Sequence, residues 1–103
     1  KPFVESVQPD GEAMQFYADY VLADGRHLSN EKQGEYANNC AIMNAFRECI
    51  ERANSHRIRQ SKAKIKLGEF WKKAAAALPR ISDTWPNSLP QNARRLHMKF
   101  NEY

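Results

Sequence analysis

The sequence is poor in the residues that build β-sheets, and this shortage excludes most fold classes. Valine occurs only at positions 4, 7 and 21, and the 103 residues include only four glycines. Alanine, glutamate, lysine, arginine, glutamine and leucine dominate instead, and these residues favour helix. We therefore predict an all-α chain of about four helices, forming one small bundle over residues 1–103.

Long apolar runs are also missing. None approaches the roughly 20 residues of a membrane span, and no basic start followed by an apolar stretch indicates a signal peptide.

Cys40 and Cys49 fall on opposite faces of one predicted helix, so they cannot pair with each other. Free thiols are typical of a reducing compartment, and we expect a cytoplasmic protein. Because the chain begins at Lys1 and ends inside a predicted helix, we expect a piece of a longer protein.

Motifs for catalysis and metal binding are absent from the sequence. His27, His56 and His97 form no pair with a metal-ligand spacing, and no cysteine lies two to four residues from another cysteine or a histidine. There is no G-x-S-x-G, GKS/GKT or HExxH motif. We therefore expect no metal, no cofactor, no small-molecule substrate and no enzymatic activity in this chain.

Positive charge is scarce in the first half of the chain and concentrated in the second. Residues 1–55 hold five basic and nine acidic side chains, a net charge of −4, whereas residues 56–103 hold eleven basic and three acidic ones, a net charge of +8. A segment this positive attracts polyanions, nucleic acid first among them. The pattern predicts an acidic helical scaffold followed by a basic part that binds duplex DNA. The alternative is a helical domain whose lysines are only solvated surface.

The first two helices are predicted from periodicity and capping signals. One runs over about 10–22, with Asp10 as its N-cap and Gly25 as a left-handed C-terminal cap. Its apolar face would carry Met14, Tyr17 and Val21. The other runs over about 31–59, starts with an Asn30–Gln33 capping box, and has two apolar stripes that indicate burial between two neighbours.

The third and fourth helices make up the basic half. The third is predicted over about 66–78 and is closed by Pro79. The fourth opens at Ser88 with an S-x-x-Q capping box and a proline in its first turn. Its apolar seam is Leu89, Ala93, Leu96, Phe100 and Tyr103. Helix, turn-rich connector and basic helix together predict a helix-turn-helix-like part.

The outward face of the fourth helix matches what a recognition helix needs. Gln, Arg and Asn are the side chains that make bidentate contacts with base edges, and a recognition helix uses residues near its N-terminus. The expected base-facing and flanking residues are Gln91, Arg94, Arg95, Met98 and Lys99. Asn87 and Ser88, at the predicted helix start, could donate to a phosphate. The alternative is an ordinary amphipathic helix with a polar outside.

A dense basic tract over residues 56–66 precedes the third helix. Its lysines alternate with apolar residues, a period that suits an extended connector or a fraying helix end better than a helix face. As an arm on phosphates it would add affinity that is independent of base sequence. The expected phosphate contacts are Arg57, Arg59, Lys62, Lys64 and Lys66. The alternative is a solvated linker.

Three segments carry a resemblance to a known family: Phe70-Trp71-Lys72-Lys73 through Leu78-Pro79, then Trp85-Pro86-Asn87-Ser88-Leu89-Pro90, then Arg94-Arg95-Leu96 to Phe100-Asn101-Glu102-Tyr103. Residues 66–103 resemble the N-terminal region of bacterial DDE-class transposases and integrases, related broadly to the phage Mu transposase. The resemblance implies a helix-turn-helix-like DNA-binding module that docks on the ends of a mobile element. The catalytic Asp-Asp-Glu triad would lie downstream, outside this chain.

A second candidate function comes from the charge division. The acidic half of one copy could face the basic half of another copy, or of a partner, in a protein–protein interaction module. The long second helix with two apolar stripes would suit a dimer interface. This alternative requires no affinity for DNA.

Overall fold

A computed structural model of the chain describes residues 7–60, 63 and 66–103. The described residues form four helices: α1 (Gly11–Asp19), α2 (Asn30–Arg59), α3 (Leu67–Thr84) and α4 (Ala93–Phe100). Within them the β-type pairing is limited to a single bridge between Val21 and His27. The predicted all-α fold is confirmed. The molecule measures 53 × 23 × 23 Å, because α2 alone extends for about 45 Å at 1.5 Å per residue.

Helix α2 lies between the other elements, as its two apolar stripes predicted. Tyr36 of α2 meets α1, where the ring of Tyr17 lies 5.4 Å from that of Tyr36. Phe46 of α2 meets α3, where the ring of Trp71 lies 5.7 Å away, edge to face. The core around this contact consists of Ala41, Ile42, Met43, Ala45, Phe46, Trp71, Ala74, Ala75, Leu78, Ile81, Leu89, Leu96 and Val7.

The start of α2 differs slightly from the prediction. Its N-cap is Ser29, whose hydroxyl accepts a hydrogen bond from the Lys32 amide at 3.2 Å. Asn30 is already the first helical residue, and the Gln33 side chain donates to the carbonyl of Leu28 at 2.8 Å. The serine one residue earlier therefore takes the capping position. The helix continues to Arg59, as predicted.

Helix α1 is shorter than predicted. Asp10 caps it as expected, accepting a hydrogen bond from the Ala13 amide at 3.0 Å, but the helix ends at Asp19. Gly25 has the predicted positive φ of 86°. It lies in a tight turn, because its amide donates to the carbonyl of Leu22 at 2.9 Å. Asp24-Gly25 is thus a turn signal and not a helix cap.

The predicted apolar face of α1 is wrong. No residue of this helix is buried, and Met14 and Val21 are both more than half exposed. Tyr17 alone of the predicted face is half-buried, against α2. The cause is tertiary: α3 and α4 pack around the middle of α2, whereas α1 packs against α2 and contributes no residue to that core.

Helix α3 continues through Pro79 to Thr84, so its predicted end at Leu78 is wrong. Proline inside a helix costs about 3 kcal/mol, because it removes one hydrogen bond and crowds the preceding turn. Beyond it, however, Ile81 is completely buried and Trp85 packs against the core. Burying a large apolar side chain stabilises by about 1.5–3 kcal/mol. Burial of Ile81 and of part of Trp85 is therefore of the size needed to offset the proline.

Helix α4 begins at Ala93 and not at Ser88. Its N-cap is Asn92, whose side chain accepts a hydrogen bond from the Arg95 amide at 3.1 Å. The hydroxyl of Ser88 instead accepts from the side-chain amide of Asn39 in α2 at 2.9 Å. Residues 85–92 therefore form an eight-residue connector between α3 and α4, longer than the 3–4 residues typical of a helix-turn-helix turn.

Candidate nucleic-acid interface

Helix α4 presents one apolar face to α3 and one basic face to solvent. Leu96 is completely buried. The His97 ring stacks on Trp71 at 5.1 Å between centroids, and the Phe100 ring lies 4.9 Å from the same tryptophan. At about 100° per residue, the opposite face carries a row of four exposed side chains. Across the helix these are Arg94, Met98, Arg95 and Lys99.

Arg94 and Arg95 occupy the first turn of α4 without an acidic partner. Helix α4 has no Asp or Glu, and neither arginine forms an ion pair with a described residue. The N-terminal end of a helix is positive, so two cations here reduce helix stability. An anion bound at this end would relieve the repulsion and would meet the free amides of the first turn.

Lys99 is the one residue of this row with an acidic neighbour. Its ammonium lies 3.5 Å from the Glu102 carboxylate, and both side chains are about half exposed. An exposed pair of this kind is worth between about 0 and 1 kcal/mol. Lys99 can therefore exchange Glu102 for a phosphate at little cost.

The basic tract is only partly within the described residues. Arg57 and Arg59 belong to the last turn of α2 and are exposed, and the Arg57 guanidinium donates to the carbonyl of Ala63 at 3.4 Å. Lys66 is exposed at the N-cap position of α3. The predicted phosphate contacts of Lys62 and Lys64 lie outside the described residues.

Two further basic side chains on α3 were not predicted as site residues. Lys73 and Arg80 are exposed on the side of α3 opposite its buried face, and neither is within ion-pair distance of an acid in the described chain. Lys73 and Arg80 are seven residues apart, so they share one face of the helix, opposite the face of Trp71, Ala74 and Leu78. This spacing could have identified them from the sequence. Lys72, in contrast, lies 3.6 Å from Glu69.

The structure places Asn87, Ser88 and Gln91 ahead of the helix and not on it. The Asn87 side-chain amide donates to the carbonyl of Trp85 at 2.8 Å and to the Ser82 hydroxyl at 3.1 Å. Its oxygen accepts from the Leu89 amide at 3.0 Å. Asn87 therefore shapes the connector, and Ser88 is tied to α2. The predicted position of Asn87 and Ser88 at a helix start is wrong, and Gln91 is exposed just before the Asn92 cap.

Two adjacent asparagines of α2 hold the connector, and neither was predicted as a functional residue. Asn39 is 3% exposed, and its side-chain oxygen accepts from the Ser88 amide at 3.0 Å while its NH₂ donates to the Ser88 hydroxyl. Asn38 donates to the carbonyl of Pro86 at 2.8 Å. Asparagine is a poor helix former, so a pair in mid-helix was the available signal of a special role.

A pocket lined by tyrosines lies beside the C-terminal end of α4. Its volume is about 500 Å³, and its walls include Tyr17, Tyr20, Tyr36, Tyr103 and Lys99. We call it the tyrosine pocket. It brings together α1, the turn that follows α1, α2, the connector and the end of the chain. Sequence periodicity does not predict this meeting point.

Titratable groups next to the tyrosine pocket are held in their neutral forms. Burial, reinforced by the neighbouring Cys40, raises the pKa of Tyr17 to about 12. Burial also raises the pKa of the Cys40 thiol, although the Tyr17 hydroxyl 3.9 Å away opposes the shift. Because the thiolate is the nucleophile, Cys40 is poorly reactive at neutral pH. This favours a structural role for the cysteine.

Other kinds of site find no support in the part of the chain that the structure describes. No three His, Cys, Asp or Glu side chains there come together as metal ligands. No helix among the described residues has both the length and the apolar character needed to cross a membrane. Cys40 and Cys49 are both free thiols.

No protein-family model, no curated protein and no solved structure matches this chain. The resemblance of residues 66–103 to transposases therefore stays a prediction from the motifs.

Proposed function

We propose that this protein is a DNA-binding module that docks on duplex DNA through the outward face of α4, as part of a transposase- or integrase-like protein of bacterial mobile elements. The observation that supports the proposal best is the pair of exposed arginines, Arg94 and Arg95. They stand at the positive end of α4 and have no acidic partner among the described residues. The module acts in the cytoplasm and does not itself catalyse strand transfer.

The proposed contacts of α4 with the DNA bases follow from the chemistry of its side chains. Arg94 and Arg95 can each donate two hydrogen bonds to O6 and N7 of a guanine in the major groove. Met98, which is 61% exposed, offers an apolar contact for a thymine methyl. An α-helix with its side chains is about 10–12 Å in diameter, which matches the width of about 12 Å of the major groove.

Phosphate contacts come from the remaining basic residues. Arg57, Arg59 and Lys66 are exposed and free of acidic partners within the described chain, and we assign Lys62 and Lys64 to the same role from the sequence. Each phosphate that is neutralised releases counterions. This part of the affinity is therefore independent of base sequence and sensitive to salt.

The direct test is the affinity of the whole chain for a duplex at several salt concentrations, measured by fluorescence anisotropy. If about six phosphates are neutralised, the plot of log K against log salt should have a slope of about −5. Absence of binding at about 50 mM salt would contradict the proposal.

Single substitutions separate base contacts from phosphate contacts. Arg94→Ala should weaken binding to a preferred sequence by about 1–3 kcal/mol and relax the sequence preference. Lys64→Ala should weaken binding to all sequences about equally. Lys72→Ala is the matched control, since this exposed lysine pairs with Glu69 outside the proposed interface. If Arg94→Ala and Lys64→Ala behave alike, α4 is not the recognition helix.

A second candidate function, self-association, is favoured by the exposed face of α1 and the turn after it. Met14, Phe16, Tyr20 and Val21 are each 45–59% exposed, in a stretch without Lys or Arg from residue 2 to residue 25. The complementary surface on a second copy is the outward face of α4, where exposed Met98 lies between arginines. A salt-sensitive dimer in light scattering, with no DNA affinity, would establish this function instead.

A further inference from the structure

The tyrosine pocket has the size and the walls of a binding site. Its volume of about 500 Å³ falls within the range of roughly 300–1,000 Å³ that is typical of small-molecule pockets. Two of its rings are held firmly: Tyr17 and Tyr36 pack 5.4 Å apart, and the Tyr17 hydroxyl contacts the Cys40 sulfur. Tyr20 and Tyr103 keep 45% and 38% of their surface exposed. The pocket therefore offers two fixed rings and two open ones.

The chemistry of these walls suits a planar aromatic group that carries an anion. Aromatic side chains stack on nucleobases, and every base has a face that can stack. Lys99 adds one ammonium group to the lining, and its exposed pairing with Glu102 is weak. A nucleotide combines a flat ring with a phosphate, and this pocket combines phenol rings with a cation.

The position of the pocket links it to the proposed interface. Lys99 belongs both to the outward face of α4 and to the pocket, and Tyr103 follows three residues after the end of α4. A DNA strand that lies along α4 therefore reaches the pocket at the C-terminal end of this helix. The hydrogen bonds between Asn39 and Ser88 fix the part of the pocket wall that the connector forms.

The charge of the pocket lining limits how much nucleic acid can enter. Among the described residues, the lining contains one cation, Lys99, and no Asp or Glu side chain. Glu12 and Asp19 of α1 belong to a separate groove beside Phe16. Because one ammonium group can hold one phosphate, the pocket suits a single nucleotide that enters from the α4 side.

From these observations we propose that the tyrosine pocket takes a single unpaired nucleobase of the DNA that α4 holds, stacked on Tyr20 and Tyr103 with its phosphate at Lys99. The inference rests on the proposed DNA-binding function and adds a second kind of recognition to it. The protein would then distinguish distorted or unpaired DNA from a perfect duplex.

Three DNA probes test this inference with the full chain. The first is a fully paired, blunt-ended duplex, called the blunt duplex below. The second is the same duplex with one unpaired 2-aminopurine at its centre, and the third has an abasic residue in place of the 2-aminopurine. Stacking is worth about 1–3 kcal/mol per base, so the 2-aminopurine duplex should bind roughly 5- to 150-fold more tightly than the blunt one. The abasic duplex should lose this gain. The fluorescence of 2-aminopurine should be quenched on binding.

Variants on α1 and just after it identify the pocket. Tyr20→Ala should abolish the gain and the quenching while leaving the affinity for the blunt duplex unchanged, and Tyr20→Phe should retain both. Met14→Ala is the matched control, because this side chain is 54% exposed on α1 but lies outside the pocket. A gain that persists in Tyr20→Ala, or that Met14→Ala removes equally, would overturn the assignment.

The two proposals fail in different ways. Salt-dependent binding of the blunt duplex, without a gain or quenching for the 2-aminopurine duplex, would overturn the pocket inference and leave the proposed function standing. Absence of binding to all three probes at about 50 mM salt would overturn both.

Discussion

Single residues decide where α4 sits, and Asn39 is the most important of them. It is the buried polar residue of the described core, and it satisfies both the amide and the hydroxyl of Ser88 across 49 residues of sequence. A buried polar group is stable only when its partners are present. Ser88 is thereby held in the connector, and the chain turns into α4 four residues later, at Asn92.

The two adjacent asparagines allow a matched test of this role. Asn39→Ala should lower the free energy of unfolding by about 1–3 kcal/mol, because it removes two hydrogen bonds made by a buried side chain. Asn38→Ala removes one exposed hydrogen bond to Pro86 and should cost about 0.5 kcal/mol. Urea denaturation of both variants measures the difference. Equal losses would show that the Asn39 contact does not hold the connector.

The identities of the residues alone did not reveal the contact between Asn39 and Ser88. The sequence shows Asn38 and Asn39 in mid-helix and Ser88 beside a capping signal. In an S-x-x-Q capping box the glutamine side chain accepts a hydrogen bond from the serine amide. Here that amide donates to Asn39, so a contact between distant residues replaces the local one.

At the scale of the element, burial overrides local helix-breaking signals. Trp71, Ala74 and Leu78 are spaced at the helical period in the sequence, and all three are buried on α3. The sequence predicted an end at Pro79, since proline usually breaks a helix. The face continues to Ile81, one turn beyond. Tertiary burial of that turn keeps the backbone helical through the proline.

Replacement of this proline should therefore stabilise the protein. Pro79→Ala restores a helical hydrogen bond at an exposed position. The gain in unfolding free energy should be about 1–2 kcal/mol, after allowing for the greater freedom of the unfolded chain.

A second proline provides the control for this measurement. Pro90 lies in the connector, outside any helix, so Pro90→Ala gains no helical hydrogen bond and should be neutral or lose up to about 1 kcal/mol. Thermal or urea unfolding compares the two variants. A loss of stability in Pro79→Ala would mean that proline is the better residue in this turn.

Helix α4 shows the limit of amphipathic analysis. Its period correctly predicted Leu96 as buried and Arg94, Arg95 and Met98 as exposed. The same period predicted Gln91 on the helix, although the helix starts two residues later. Periodicity defines the faces of a helix, whereas its first residue depends on which side chain is free to cap it.

At the scale of the whole molecule, the neutral groups around Tyr17 tie together α1, α2 and the end of the chain. Burial raises the pKa values of Tyr17, Cys40 and Tyr103 above their ordinary values of 10.0, 9.0 and 10.0. A raised pKa means that the folded state binds the proton more tightly than the unfolded state does. The stabilisation is therefore fully present below about pH 9 and is lost as the pH rises toward 12.

The expected result is a fall in stability at alkaline pH, measured as the urea midpoint between about pH 8 and pH 11. Tyr17→Phe removes the phenol with the pKa of about 12, so its decline above pH 10 should be shallower than that of the unsubstituted chain. Tyr20→Phe, which removes an exposed phenol from the same pocket, is the control. Parallel declines in all three proteins would contradict the assignment to Tyr17.

Some properties of this protein follow from the sequence by itself. Helical class, the faces of α2, α3 and α4, and the charge of −4 against +8 depend on residue type and short-range spacing, which are local quantities. The tertiary structure decided the rest: the passage of α3 through Pro79, the delay of α4 to Ala93, the exposed face of α1 and the tyrosine pocket. Each of these depends on contacts between residues far apart in the chain, and the energies of such contacts match or exceed those of local signals.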